Sequence, residues 1–84
     1  MTLMETPMRT AVTVLSVEDR VPCDAIARRL RELGFVDGET VEIVAKGPLG
    51  GEPLLALIGF TRFALRRSEA ARVHVSFPDN GKDR

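Results

Sequence analysis

The sequence predicts a mostly β domain: a small five-stranded barrel with one α-helix after the first strand and a short helical turn before the last. Three observations carry this. Runs rich in β-branched and apolar residues recur along the chain, separated by Gly-, Pro- and charge-marked turns. One segment alone carries an amphipathic helical stripe followed by a glycine stop. Eighty-four residues make a single small domain, and closing so few strands into a barrel protects edges that an open sheet would expose. The barrel is assigned to residues 1–77 and a flexible polar tail to residues 78–84.

Met1 to Met8 is loosely patterned and is expected to pack in part or fray. Thr10 to Val17 (TAVTVLSV) reads as the first strand, and Glu18 to Arg20 as a charged turn. Pro22 and Asp24 are helix start signals, with the capping residue left open between them. Ile26, Leu30 and Leu33 recur at i, i+4 and i+7 and form the apolar stripe, while Arg28, Arg29, Arg31 and Glu32 take the other faces. Gly34 stands where a left-handed residue closes a helix, and Phe35 where a Schellman stop brings a hydrophobic contact onto Leu30. Asp37-Gly38 turns the chain into a strand over Thr40–Ala45, with Val41, Ile43 and Ala45 on one face. Gly47 to Gly51 is a connection, Pro53 to Ile58 a third strand and Phe63 to Leu65 a fourth. Arg67 to Ala71 suits one helical turn with Ser68 as its cap. Arg72 to Phe77 alternates, with Val73, Val75 and Phe77 inward and Arg72, His74 and Ser76 outward.

Composition narrows the function. Twelve basic residues balance twelve acidic ones, whereas a nucleic-acid binder needs a basic excess to displace counterions from phosphates. Trp and Tyr are absent, and four Phe are the only aromatics. That is poor equipment for stacking bases or lining a proline-rich peptide groove. The single Cys23 forms no internal disulfide, which fits a reducing, cytoplasmic setting. The longest apolar run, Leu54 to Ile58, is far short of the ~20 residues that cross a bilayer, so no direct membrane insertion is expected.

From Ala25 to Ala70 the chain resembles the ferrous iron transport protein A family, FeoA, in segments that come in the family's order. These are Ala25-Ile26-Ala27-Arg28-Arg29-Leu30-Arg31-Glu32-Leu33-Gly34-Phe35, then Asp37 to Val44 (DGETVEIV), Gly47 to Pro53 (GPLGGEP) and Phe63 to Ala70 (FALRRSEA). Val73 and Val75 follow in the closing strand. The resemblance implies an SH3-like barrel and a small cytosolic accessory protein of ferrous iron transport. It also implies a partner, the cytosolic GTPase region of the membrane transporter FeoB. Two departures stand out: Pro7-Met8-Arg9 replaces a Pro-Gly turn, and Leu54 to Ile58 is apolar throughout where relatives alternate. Matching the family's phase puts Leu54, Ala56 and Ile58 inside, so Leu55 and Leu57 project outward. They then need cover from this chain, a second copy or another protein.

No catalytic residue is nominated, since there is one Cys, one His and no nucleophile–base signature. Gly47 to Gly51 lacks the Lys-Ser/Thr ending of a phosphate loop. No cofactor is expected, and no metal site within one monomer. Cys23 falls in phase with the helix's buried stripe and reads as core, and His74 reads as a solvated surface residue. The weaker alternative for this pair is a surface or intermolecular metal site. Arg28, Arg29 and Arg31 on the helix, with Arg66 and Arg67 after the fourth strand, form the plausible positive clusters, suited to an acidic partner. The partner surface is therefore placed on Leu55, Leu57, Arg28, Arg29, Arg66 and Arg67. The alternative function is a small-barrel nucleic-acid-binding or transcription-regulatory module.

Overall fold

The computed structural model describes residues 1–78, so residues 79–84 of the expected tail lie outside the described residues. A 3-10 turn at Leu3–Glu5 leads into β1 (Ala11–Val17), followed by α1 (Ala25–Leu33), β2 (Thr40–Gly47), β3 (Gly51–Ile58) and β4 (Thr61–Leu65). A one-turn helix, α2 (Arg67–Ala70), precedes β5 (Val73–Ser76). All strand pairings are antiparallel, in the order β4-β3-β2-β1-β5. β4 and β5 end the sheet and do not pair with each other, so the barrel is half-closed rather than sealed.

Alternation builds the core. Val12, Val14, Val41, Ile43, Leu54, Ala56, Leu65, Val73 and Val75 are all buried, each on the inward side of its pleat. From α1, Ala27 and Leu30 join them, with Phe35 just beyond the helix. The N-terminal segment packs rather than frays: Leu3 and Thr6 are fully buried. It also covers the outer edge of β5, where Thr2 bridges His74 and the Val75 N–H donates to the Met1 carbonyl.

Four expectations are corrected. Ala45 is exposed because Ile43 and Ala45 face consecutive residues of β3, which makes Val44 a bulge and flips the pleat beyond it. Phe77 lies one residue past β5 and is 55% exposed. Ile26 is exposed, since the buried face of α1 runs through Ala27 and Leu30 instead. Arg72 is buried, for the reason given below. In β3 the expected phase holds at Leu54 and Ala56, which are buried, and at Leu55 and Leu57, which are half-buried, whereas Ile58, expected inside, is only half-buried against the core at the strand's end.

Candidate functional site

Asp24 organises the start of α1. Its Oδ1 accepts from the Ile26 and Ala27 amides, and its Oδ2 from the Arg20 amide and, at 2.8 Å, from Arg72 Nε. The Arg72 guanidinium also donates to the Ser68 carbonyl. An alternating strand pattern hides this role, because a buried arginine needs a specific partner that sits 48 residues away. The amide donors and the Arg72 guanidinium hold the Asp24 carboxyl well below its ordinary value of 3.8. At the other end of α1, Gly34 has φ 116° and Phe35 N–H donates to the Leu30 carbonyl, which is the expected Schellman stop. For α2 the cap is Arg66, not Ser68, and Glu69 Oε1 accepts from the Arg66 amide.

These anchors set α1 beside β4 with an open groove of about 430 Å³ between them. Ile26, Arg29, Leu30 and Leu33 line its helix wall, and residues 62–66 with Pro53 and Glu69 line the sheet wall. The half-buried Phe63 packs at a tilt on the buried Phe35, ring centroids 6.1 Å apart, which ties this wall to the core. Arg29, Arg62 and Arg66 are exposed and, among the described residues, form no ion pair. Glu69 is the one acidic residue in the lining, and its Oε1 already accepts from the Arg66 amide. The groove is therefore mixed, with apolar side chains interleaved with three cationic groups.

The structure brings together two of the six partner-surface residues named from the sequence, Arg29 and Arg66. Arg67 lies in a separate shallow depression with Lys46, Met4 and Leu54, its amide donating to Glu52. Arg28 is exposed on another face of α1 and lines neither depression. Leu55 and Leu57 sit on the outer face of β3, cross-strand from Ala64 and Arg62. Arg62 escaped the sequence reading because it stands alone in the chain, and only the β3–β4 hairpin carries it to Arg29 and Arg66. Arg31 is committed elsewhere, donating to the Val17 carbonyl and to Asp19.

The two metal candidates differ from their sequence reading. Cys23 is exposed, with φ 53°, rather than on the buried stripe of α1: it precedes the helix and points off it. His74 is not a lone surface residue, since its Nε2 lies 2.8 Å from Glu18 Oε1. That contact is also the main cause of the lowered Glu18 pKa. Among the described residues no group of three or more His, Cys, Asp and Glu is placed to hold a metal ion. No helix among them is long and apolar enough to cross a membrane.

Comparison with known proteins gives a consistent result. No curated protein matches the chain. Among solved structures, the zinc complex of Stenotrophomonas maltophilia FeoA is 67% identical, with TM-score 0.84 over 90% of this chain and 89% of that one. It is described as a prokaryotic SH3 domain protein. Chlorobium tepidum FeoA is 31% identical over 96% of this chain and 75% of its own, with TM-score 0.79. Iron(II) transport protein A of Clostridium thermocellum is 30% identical over 92% of this chain but 45% of its own, with TM-score 0.79. These likenesses identify the half-closed sheet as the SH3-like barrel expected from the sequence. The FeoA domain profile matches residues 1–76, and the chain belongs to the FeoA family.

Proposed function

We propose that this protein is a non-enzymatic, cytoplasmic accessory factor of ferrous iron transport that docks on the cytosolic GTPase region of FeoB and modulates it. Family membership supplies the pathway, and the Stenotrophomonas maltophilia relative has been put forward as a ferrous iron transport activating factor. The observation that carries the docking role is the α1–β4 groove, where apolar side chains meet three arginines that, among the described residues, have no ion-pair partners. Such a surface fits a protein face that offers carboxylates around an apolar ridge. The outer face of β3, with Leu55 and Leu57, extends the contact next to Arg62. Arg28 and Arg67 lie outside the groove lining.

Calorimetric titration of the purified chain into the soluble cytosolic region of FeoB tests the reading. Saturable binding that weakens about tenfold or more in Arg29→Glu and Arg62→Glu is the expected result. No binding at any accessible concentration, or binding indifferent to both substitutions, removes it.

A further inference from the structure

The two ends of the sheet are treated differently. The outer edge of β5 is bonded to the N-terminal segment through the Met1 carbonyl and the Thr2–His74 bridge. Among the described residues, the outer edge of β4 has no strand beside it, and it borders the groove. Gly59 and Phe60 form a two-residue hairpin turn between Ile58 and Thr61, with φ 60° at Gly59, the conformation of a type II′ turn. Such a turn makes Ile58–Thr61 the hydrogen-bonded closing pair. Antiparallel alternation then directs the backbone N–H and C=O of Thr61, Phe63 and Leu65 toward β3, and those of Arg62 and Ala64 away from it. The next outward amide, that of Arg66, is bonded to Glu69. The groove lining agrees: it takes residues from both faces of β4, as a groove running along the strand's edge must.

We infer that the groove receives an extended, acidic polypeptide segment, which adds to β4 as a sixth strand through the backbone groups of Arg62 and Ala64. Strand addition supplies main-chain hydrogen bonds for affinity, and flanking side chains supply selectivity. The charges choose the occupant. Arg62 on the strand and Arg66 just past its end flank Ala64, and Arg29 faces them from α1, so carboxylates on the incoming segment are matched. A second copy pairing antiparallel through its own β4 would set Arg62 opposite Arg66 around a central Ala64, a like-charge cross-strand pair. The exposed methyl group of Ala64 lets another backbone approach closely. The inference rests on the reading of this groove as a protein-docking site and adds how the partner is held.

The test uses amide hydrogen exchange by NMR on the full chain, with a short synthetic peptide in which Glu alternates with Thr and Val. Saturating peptide should slow exchange of the Arg62 and Ala64 amides about tenfold or more, while the same peptide with Lys for Glu should not bind. Ala64→Pro should keep the fold, because that N–H is not used within the sheet, and should abolish peptide binding. Binding without slowed Arg62 and Ala64 exchange overturns strand addition, whether or not Ala64→Pro folds. Equal binding of the Lys peptide overturns the charge assignment. Slow exchange of the same amides in the free chain, growing with its concentration, makes a second copy the occupant. Binding of the FeoB region with unchanged exchange at Arg62 and Ala64 keeps the docking function and removes only this mode. Peptide capture by a chain that ignores the FeoB region keeps the mode and removes the transporter.

Discussion

At the scale of single residues, two positions carry more of the fold than their size suggests. Gly34 closes α1 at φ 116°, and a Cβ placed there would meet only Ile58 Cγ2 at 3.9 Å. Space is therefore available, and the cost of Gly34→Ala is that of holding an L-residue in a left-handed conformation, about 1–2 kcal/mol. For a domain this size that corresponds to a Tm lower by roughly 4–8 °C per kcal/mol, read by thermal melting. Asp24 is the second. Its pKa is depressed in the folded state, so between its ordinary value of 3.8 and the lower folded value the unfolded chain binds a proton that the native one does not. Stability from this group is fully present above that window and is lost as the pH falls through it. Chemical denaturation from pH 6 down to pH 2 should therefore show a steep acid limb in the wild type and a shallower one in Asp24→Asn. Equal slopes would mean that the Arg72 pair and the helix cap do not depend on the charge.

At the scale of elements, the local signals in the chain are faithful where the structure is local. The Leu-Gly-Phe ending of α1 and the β-branched runs of β1 and β5 depend on neighbours within a few residues, and they are where the sequence puts them. The errors fall where a distant contact or an inserted residue decides. Ala45 changes face because Val44 bulges, and Arg72 turns inward because Asp24 waits there. Two of the groove's three arginines were legible: Arg29 and Arg66 announce themselves in arginine-rich segments, but Arg62 joins them only through the β3–β4 register. The phase of the all-apolar strand β3 came from the family resemblance, and it makes a sharp prediction. Ala56→Glu places a charge among buried apolar side chains and should unfold the domain, whereas Leu57→Glu, half-buried on the outer face, should fold. Circular dichroism and urea titration separate the two. An unfolded Leu57→Glu would place Leu57 in the core.

At the scale of the molecule, the zero formal charge means that no long-range field draws a partner in, and the cationic groups act only within about a Debye length, ~8 Å at physiological salt. The groove therefore has two physically distinct components, and salt tells them apart. On the proposed docking, Leu55 and Leu57, with the groove's apolar side chains, should contribute by area at about 25 cal/mol per Å² buried, of which ordering and association costs leave a fraction as affinity. That part does not respond to ionic strength in the physiological range. On the proposed docking, Arg29, Arg62 and Arg66 should orient the partner and raise the association rate, and their share should shrink as salt rises. Binding to the FeoB cytosolic region measured from 0.05 to 1 M salt, screened at lengths from roughly 14 down to 3 Å, should then give three patterns. Arg62→Glu should weaken binding most at low salt and converge on the wild type at high salt. Leu57→Glu should weaken it by a similar factor throughout. Arg67→Glu, in its own depression beside Lys46, should have the smaller charge effect of the two arginine reversals. If Arg67→Glu is instead the more damaging, the docking surface lies across the Lys46–Arg67 depression, and the α1–β4 groove is not where the transporter binds.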